Sequence, residues 1–296
     1  MAQTVSAALA PLPCAPSHVP PPGACDCHCH VLGPYASYPP AAAHTYQAAE
    51  APADQYLAVL DRLGMSRGVL IQPSAHGFDN AAMLDALSMA PSRLRGVAVV
   101  APDATTQDLR ALRDQGVRGL RLSRLLRPDG SPMYRNTLDI AALPGLLPAM
   151  RELGLHAQLW ITLDQLPALA PLIRTAGISF VIDHLGRSEP AMGIADPDFQ
   201  LLCELLAQGH LWVKLTPYRA SRQPPEYADV YPLHQHLLRM NPERLLWGSD
   251  WPHVNMPQHA PDAGKLLDLL YAWTPNAADI RRILVDNPAR LYGFND

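Results

Sequence analysis

Eight short, nearly unbroken apolar runs recur along the chain, over residues 24–31, 67–72, 95–100, 117–122, 155–160, 178–183, 210–215 and 244–249. Runs this short and this continuous suit strands buried on both faces, as in a parallel sheet. The stretches between them repeat with helical period. Tyr56, Leu57, Leu60 and Leu63 share one face of 52–63, and Ala82, Met83, Ala86 and Leu87 share one face of 79–90. Further helical patterns cover 105–115, 141–152, 164–175, 197–208, 227–240 and 261–273. Asp54, Asp79, Thr105, Asp164 and Asp196 stand where side chains cap helix starts, and Pro197 suits a first helical position. Gly64, Gly116, Gly154, Gly177 and Gly209 each end a helical pattern just before the next apolar run.

Eight strands alternating with helices predict a single-domain α/β fold, the (β/α)8 TIM barrel, over residues 23–296. Residues 277–294 read as a terminal helix closing the barrel. An open doubly wound sheet would ordinarily bring a glycine-rich phosphate loop, and neither G-x-G-x-x-G nor G-x-x-x-x-G-K occurs. Residues 1–22 are rich in Ala and Pro and carry no Lys or Arg, with Pro11 and Pro13 interrupting the apolar stretch. They read as an extended N-terminal arm and not as a secretory leader. As an inter-subunit strap the arm would serve a homodimer; as a loose tail it would serve no assembly.

Composition narrows the partners. Of 296 residues 48% are hydrophobic and only 17% charged, so a large core is available and disorder is not expected. The net charge of -4, with no basic block, argues against nucleic acid and anionic membrane surfaces. No apolar run has the roughly 18 residues of a membrane span. Five cysteines, three of them crowded at Cys25, Cys27 and Cys29, form no disulfide framework and suit a reducing, cytoplasmic setting.

In a barrel of this kind the chemistry collects where the strands end. Polar residues fall there: Asp26, His28 and His30 after the first run, Ser74 after the second, Arg121 and Ser123 in the fourth, Asp183 and His184 after the sixth, Thr216, Tyr218 and Arg219 after the seventh, Ser249 and Asp250 after the eighth. Strand alternation places Asp26, His28 and His30 on the lumen face and the three thiols on the other, beneath the helices. That split opposes a mixed Cys/His zinc cluster. His28, His30, His184 and Asp250 remain a chemically reasonable mononuclear zinc set. The chain carries two lysines, Lys214 and Lys265, and 21 arginines. Guanidinium groups grip carboxylates bidentately and stay charged when buried, so Arg121, Arg124, Arg127, Arg187 and Arg219 point to an anionic ligand.

The D-x-H-x-H run at Asp26–His30, the D-H-L-G-R turn at Asp183–Arg187 and the W-G-S-D-W-P-H turn at Trp247–His253 resemble the amidohydrolase superfamily, and more narrowly its 2-pyrone-4,6-dicarboxylate lactonase group. The similarity spans about residues 23–293. It implies hydrolysis of a small carboxylated lactone, with His28, His30, His184 and Asp250 catalytic and no metal required. It implies that Arg121, Arg127, Arg187 and Arg219 hold two substrate carboxylates, with Tyr46 and Ser74 as further contacts. Trp160 departs from the group, which has a tyrosine near the end of the fifth strand, and that difference bears on the ring substituents. The alternatives are a zinc-dependent sugar-lactone hydrolase or decarboxylase of the same superfamily, and a catalytically idle barrel used for binding.

Overall fold

The computed structural model describes residues 9–256 and 260–294. The first eight residues of the arm and the last two of the chain lie outside them. Eight strands form one parallel sheet in sequence order: β1 (Cys25–Cys29), β2 (Arg67–Ile71), β3 (Leu94–Ala98), β4 (Val117–Ser123), β5 (His156–Trp160), β6 (Phe180–Ile182), β7 (Leu211–Leu215) and β8 (Leu245–Trp247). The ring is drawn together where β8 runs out beside β1. There Asp250 N donates to His28 O at 2.7 Å, and His30 N donates to Trp251 O at 2.9 Å. All eight runs read from the sequence are strands, and the fold is the (β/α)8 barrel.

Outside the strands lie α1 (Ala53–Leu63), α2 (Ala81–Met89), α3 (Thr106–Asp114), α4 (Leu143–Leu153), α5 (Leu166–Thr175), α6 (Pro197–Ala207), α7 (Tyr231–Met240) and α8 (Ala263–Trp273). Thr105 and Asp196 cap α3 and α6 as expected, and Pro197 takes the first position of α6. Asp54 does not cap α1: it lies inside the first turn, where its charge suits the helix dipole. The chain end folds as Ala277–Arg281, a π-helical turn at Arg282–Asp286, and Asn287–Tyr292. Tyr292 and Phe294 pack against Val69, Val97, Val181, Trp212 and Leu246, plugging the end of the barrel away from the strand C-termini.

One expectation fails in β1. Asp26 pairs with Gly68 but Cys29 with Leu70, so β1 carries one extra residue. The bulge breaks strict alternation. Cys25 and Cys27 pack inside the barrel with the plug residues, and only Cys29 joins the cluster under the helices. Asp26 turns outward and accepts from the Tyr56 hydroxyl of α1 at 3.2 Å. His28 and His30 nevertheless both face inward. The bulge is what lets Asp26 brace the site from behind: it also accepts from Ser249 N at 2.8 Å, Ser249 Oγ at 2.6 Å and His28 N at 3.2 Å.

The described part of the arm lies along its own barrel. Trp251 Nε1 donates to Pro11 O at 3.0 Å, Cys14 N donates to Asp262 Oδ2 at 2.8 Å, and His18 stacks on Tyr271 of α8 at 4.5 Å. Among the described residues no helix is long and apolar enough to cross a membrane.

Candidate active site

Two sharp turns carry His184 and Asp250 into the mouth of the barrel. After β6 the backbone enters the left-handed region at His184 (φ 55°), Leu185 (φ 54°), Gly186 (φ 63°) and Arg187 (φ 51°). Asp250 after β8 is left-handed as well, at φ 57°. Non-glycine residues avoid this conformation, and its concentration at these two turns marks a site held under strain. Gly248 precedes Asp250 for a plain steric reason. A Cβ there would stand 2.6 Å from His28 Cβ and 2.9 Å from His28 N, so only glycine lets β8 approach β1 this closely.

These turns bring the four expected residues together, all buried. Asp250 Oδ1 lies 3.5 Å from His28 Nε2 and 3.2 Å from His30 Nε2. The His28 and His184 rings are 4.7 Å apart. Asp250 Oδ2 is occupied, accepting from Tyr218 OH at 2.5 Å and Arg219 Nε at 2.6 Å. Asp250 Oδ1 and His28 Nε2 have no hydrogen-bond partner, although both are buried. Orphaned polar atoms facing each other in this way leave room for a reacting group.

Hydrogen bonds behind the rings decide what each imidazole can do. His30 Nδ1 lies 2.7 Å from Ile71 O. A carbonyl only accepts, so His30 Nδ1 carries a proton, and its Nε2 faces Asp250 Oδ1 at 3.2 Å. His184 Nδ1 lies 2.7 Å from Thr216 Oγ1. Burial pushes His28 down to about 3, with Lys214 adding to the effect and Asp183 opposing it. Burial also carries His184 well below its ordinary value. Both rings are therefore neutral at physiological pH. Burial alone would raise Asp250, but Arg219, His184 and His28 together hold it well below the usual carboxylate range. Asp26, without a cation against it, is raised by burial to about 6.

Beneath the histidines lies a second layer that sequence reasoning did not assign to the site. Lys214, in the middle of β7, donates to Gln158 Oε1 at 2.8 Å and sits 3.3 Å from His28 Nδ1 and 3.5 Å from Asp183 Oδ1. Asp183 Oδ2 accepts from Arg121 Nε and from Gln158 Nε2, each at 3.1 Å. Lys214, Asp183 and Gln158 have no solvent exposure. Inside the apolar run Leu-Trp-Val-Lys-Leu, Lys214 is the one polar residue, and that was the available signal.

The expected substrate contacts divide. Arg121, Arg219, Tyr46, Ser74 and Trp160 line a narrow cavity of about 20 Å³ with His30, His184 and Asp250, space for a water molecule or so. Arg121 stacks over Trp160 at 4.2 Å, and Tyr134 lies against Trp160 with ring centroids 4.5 Å apart. Tyr134 was not anticipated. It also lines an adjoining hollow of about 520 Å³ beneath the loop after β4. Arg187 is half-buried; burial lowers it, Tyr134 opposes that, and Arg219 and Arg222 add to it. Arg124 and Arg127 are not brought to that cavity. Arg124 pairs with Asp139 at 2.7 Å, and Arg127 donates to Pro132 O and Met133 O of its own loop at 2.6 and 3.2 Å. Both line the adjoining hollow instead.

A metal can be weighed against this donor set. Ligand atoms of His28, His30 and Asp250 lie within 4.8 Å of one another, as do those of His28, Asp183 and His184. The residue types suit a divalent ion, and the unpartnered Asp250 Oδ1 suits it too. His28 Nδ1 lies 3.3 Å from both Lys214 Nζ and Asp183 Oδ1, and a metal there would need the ring's lone pair on Nε2.

The family model for amidohydrolases (Amidohydro_2) matches residues 25–294. A 4-sulfomuconolactone hydrolase of Rhizobium radiobacter is 39% identical, over 92% of this chain and 91% of the relative. A 2-pyrone-4,6-dicarboxylate hydrolase of Comamonas testosteroni is 34% identical, over 92% of this chain and 90% of the relative. A crystal structure from Acinetobacter baumannii, designated a probable 2-pyrone-4,6-dicarboxylic acid hydrolase and solved with citric acid bound, superposes with a TM-score of 0.78 at 28% identity, covering 92% of this chain and all of that one. With its buried histidines and aspartate at the mouth of a (β/α)8 barrel, this chain is a hydrolase and belongs to the amidohydrolase family, in the group that contains the 2-pyrone-4,6-dicarboxylate hydrolases.

Proposed function

We propose that this enzyme hydrolyses a small planar lactone bearing two anionic groups, 2-pyrone-4,6-dicarboxylate or a close carboxylated or sulfonated analogue. The observation that carries the reading is the half-free carboxylate of Asp250, one oxygen held by Arg219 and Tyr218 and the other bare before the imidazoles. The names of the two relatives, both hydrolases of anionic lactones, support the same substrate class. We read residues 1–22 as an arm and 23–296 as the hydrolase domain, and the five free thiols suit a cytoplasmic enzyme.

In this mechanism the guanidinium groups of Arg121, Arg187 and Arg219 bind the anionic groups and lay the ring against Trp160 and Tyr134, while Arg121 Nη2 keeps its pairing with Asp183 Oδ2 at 3.1 Å. Tyr46 and Ser74 contact the same edge. Water donates a hydrogen bond to Asp250 Oδ1, beside His30 Nε2. It attacks the ring carbonyl and gives its proton to Asp250. His28 Nε2–H donates to the developing oxyanion, and His184 does so when its Nδ1 accepts from the Thr216 hydroxyl. The tetrahedral intermediate collapses, the acyl–oxygen bond breaks, and Asp250 returns the proton to the departing ring oxygen. From a pyrone the product is an enol that tautomerises to a keto acid. No step is routed through a metal, because His28 presents a proton and not a lone pair.

The test is turnover of 2-pyrone-4,6-dicarboxylate and of 4-sulfomuconolactone, followed by ultraviolet absorbance, with and without chelator. Chelator-resistant turnover of either substrate is expected. An enzyme inert towards both, or one revived only by zinc after chelation, would overturn this reading.

A further inference from the structure

Lys214 has no solvent exposure. A buried ammonium is tolerated only where its donors and charge are answered. Its three neighbours are Gln158 Oε1 at 2.8 Å, His28 Nδ1 at 3.3 Å and Asp183 Oδ1 at 3.5 Å. The arrangement is over-determined from the far side. Gln158 uses its amide nitrogen on Asp183 Oδ2, so its oxygen must face the lysine. Asp183 Oδ2 is already filled by Arg121 and Gln158. Asp183 Oδ1 also lies 3.3 Å from His28 Nδ1, but outside hydrogen-bond geometry, and that oxygen has no partner. Of the two groups that could set the state of His28 Nδ1, the lysine is therefore the one in bonding geometry.

We infer that Lys214 is a positioning residue that locks His28 as an Nε2–H donor and thereby closes that ring to a metal ion. Burial lowers the Lys214 pKa and Asp183 opposes that. With Asp183 Oδ1 3.5 Å away and Gln158 Oε1 accepting at 2.8 Å, Lys214 stands as an ammonium, which only donates, so His28 Nδ1 accepts and the single proton of the neutral ring resides on Nε2. In metal-binding histidines the outer nitrogen carries the proton, given to a carboxylate or carbonyl, and the inner nitrogen holds the lone pair. Lys214 enforces the reverse. Asp183 Oδ1, poised 3.3 Å away, is the carboxylate that would restore the metal-binding tautomer if the lysine were removed. One buried cation thus separates an oxyanion-donor site from a ligand site built of the same histidines and aspartates. The role of the proton in turnover rests on the function proposed above; the tautomer does not.

The experiment is nitrogen NMR on protein labelled at histidine, with the His28 signals assigned by their loss in His28→Asn, together with zinc content after incubation with zinc and gel filtration. In the unaltered enzyme His28 is expected to be protonated on Nε2 and zinc to stay far below one equivalent. In Lys214→Met the proton is expected to move to Nδ1 and zinc to approach one equivalent. Should Lys214→Met fail to fold, Lys214→Gln, which keeps an N–H donor without the charge, is expected to retain the Nε2 tautomer. The spectrum of the unaltered enzyme decides by itself: an Nδ1-protonated His28, or stoichiometric zinc with Lys214 in place, overturns the inference. Failure of the lactone assay leaves this result standing and removes only the proposed reaction.

Discussion

Arg219 holds Asp250 by one oxygen, Nε to Oδ2 at 2.6 Å, and leaves the other oxygen to the reaction. The same guanidinium keeps the carboxylate well below its ordinary range, which makes the resting enzyme's base weak. An anionic substrate competing for Arg219 would loosen that grip and make Asp250 more basic when it is needed. In Arg219→Met the cation is lost and the Asp250 pKa rises. Asp250 acts ionised, so its activity is present above its pKa and lost as pH falls through it. The acid limb of kcat/KM is therefore expected to move to higher pH in Arg219→Met, with a raised KM. An acid limb that stays in place would show that Arg219 does not set the base.

Asp250→Asn keeps the shape and the bond from Tyr218 but cannot take a proton from water. A positioned general base is worth about 10²- to 10⁴-fold. A fall in kcat of that size is expected, with substrate still bound, as read by calorimetry with the inactive variant. Near-normal turnover would remove Asp250 from the proposed role.

The arginines should separate cleanly. Arg121→Met removes a buried guanidinium at the cavity, and losing a charge-assisted contact costs about 1.5–3 kcal/mol, a rise in KM of roughly 10- to 150-fold. Arg124→Met and Arg127→Met should leave KM within a few-fold, because those side chains serve Asp139 and their own loop. Equal effects at all three positions would mean that the loop after β4 rearranges over the substrate.

That contrast shows what was legible in the sequence. Strands announce themselves by apolar runs, and a polar residue at the end of such a run has one place to go, so His28, His30, His184, Arg121 and Asp250 were readable together. Arg124 and Arg127 lie on a loop, where nearness along the chain says nothing about direction; carbonyls of the same loop capture Arg127. Alternation failed at β1 because it assumes one residue per pairing step, and a single inserted residue sent Asp26 out and Cys27 in. Lys214 went unassigned because its partners, Gln158 and Asp183, come from two other strands. Tyr134 reaches Trp160 only through the path of a loop that no short-range pattern specifies.

Gly248 offers a steric test. In Gly248→Ala the added methyl meets His28 Cβ at 2.6 Å and the β1 backbone at 2.9 Å, atoms that cannot yield without moving the strand. Overpacking of this kind costs about 1–3 kcal/mol. A lower Tm is expected, with a loss of kcat larger than the loss of folded protein, because His28 is displaced from Asp250. A variant with unchanged Tm and kcat would mean that β8 and β1 are further apart than described.

Buried neutral histidines also set the response of the fold to acid. Burial holds His156, under the lumen, at about 3 and His234, on α7, at about 4, while the unfolded chain titrates near 6.5. Below that value the unfolded state takes up protons that the folded state refuses, so stability is complete above about pH 6.5 and declines as pH falls towards 4. Each group removes about 1.4 kcal/mol per pH unit across its window, or about 2 kcal/mol by pH 5. His234 is the better probe, because it lies away from the active site, with its Nε2 3.1 Å from Thr274 Oγ1. In His234→Gln, which can keep that contact, denaturant unfolding between pH 7 and 5 should show a pH slope shallower by up to one proton. An unchanged slope would mean that His234 is already protonated in the folded enzyme, which its burial beside Trp273 opposes.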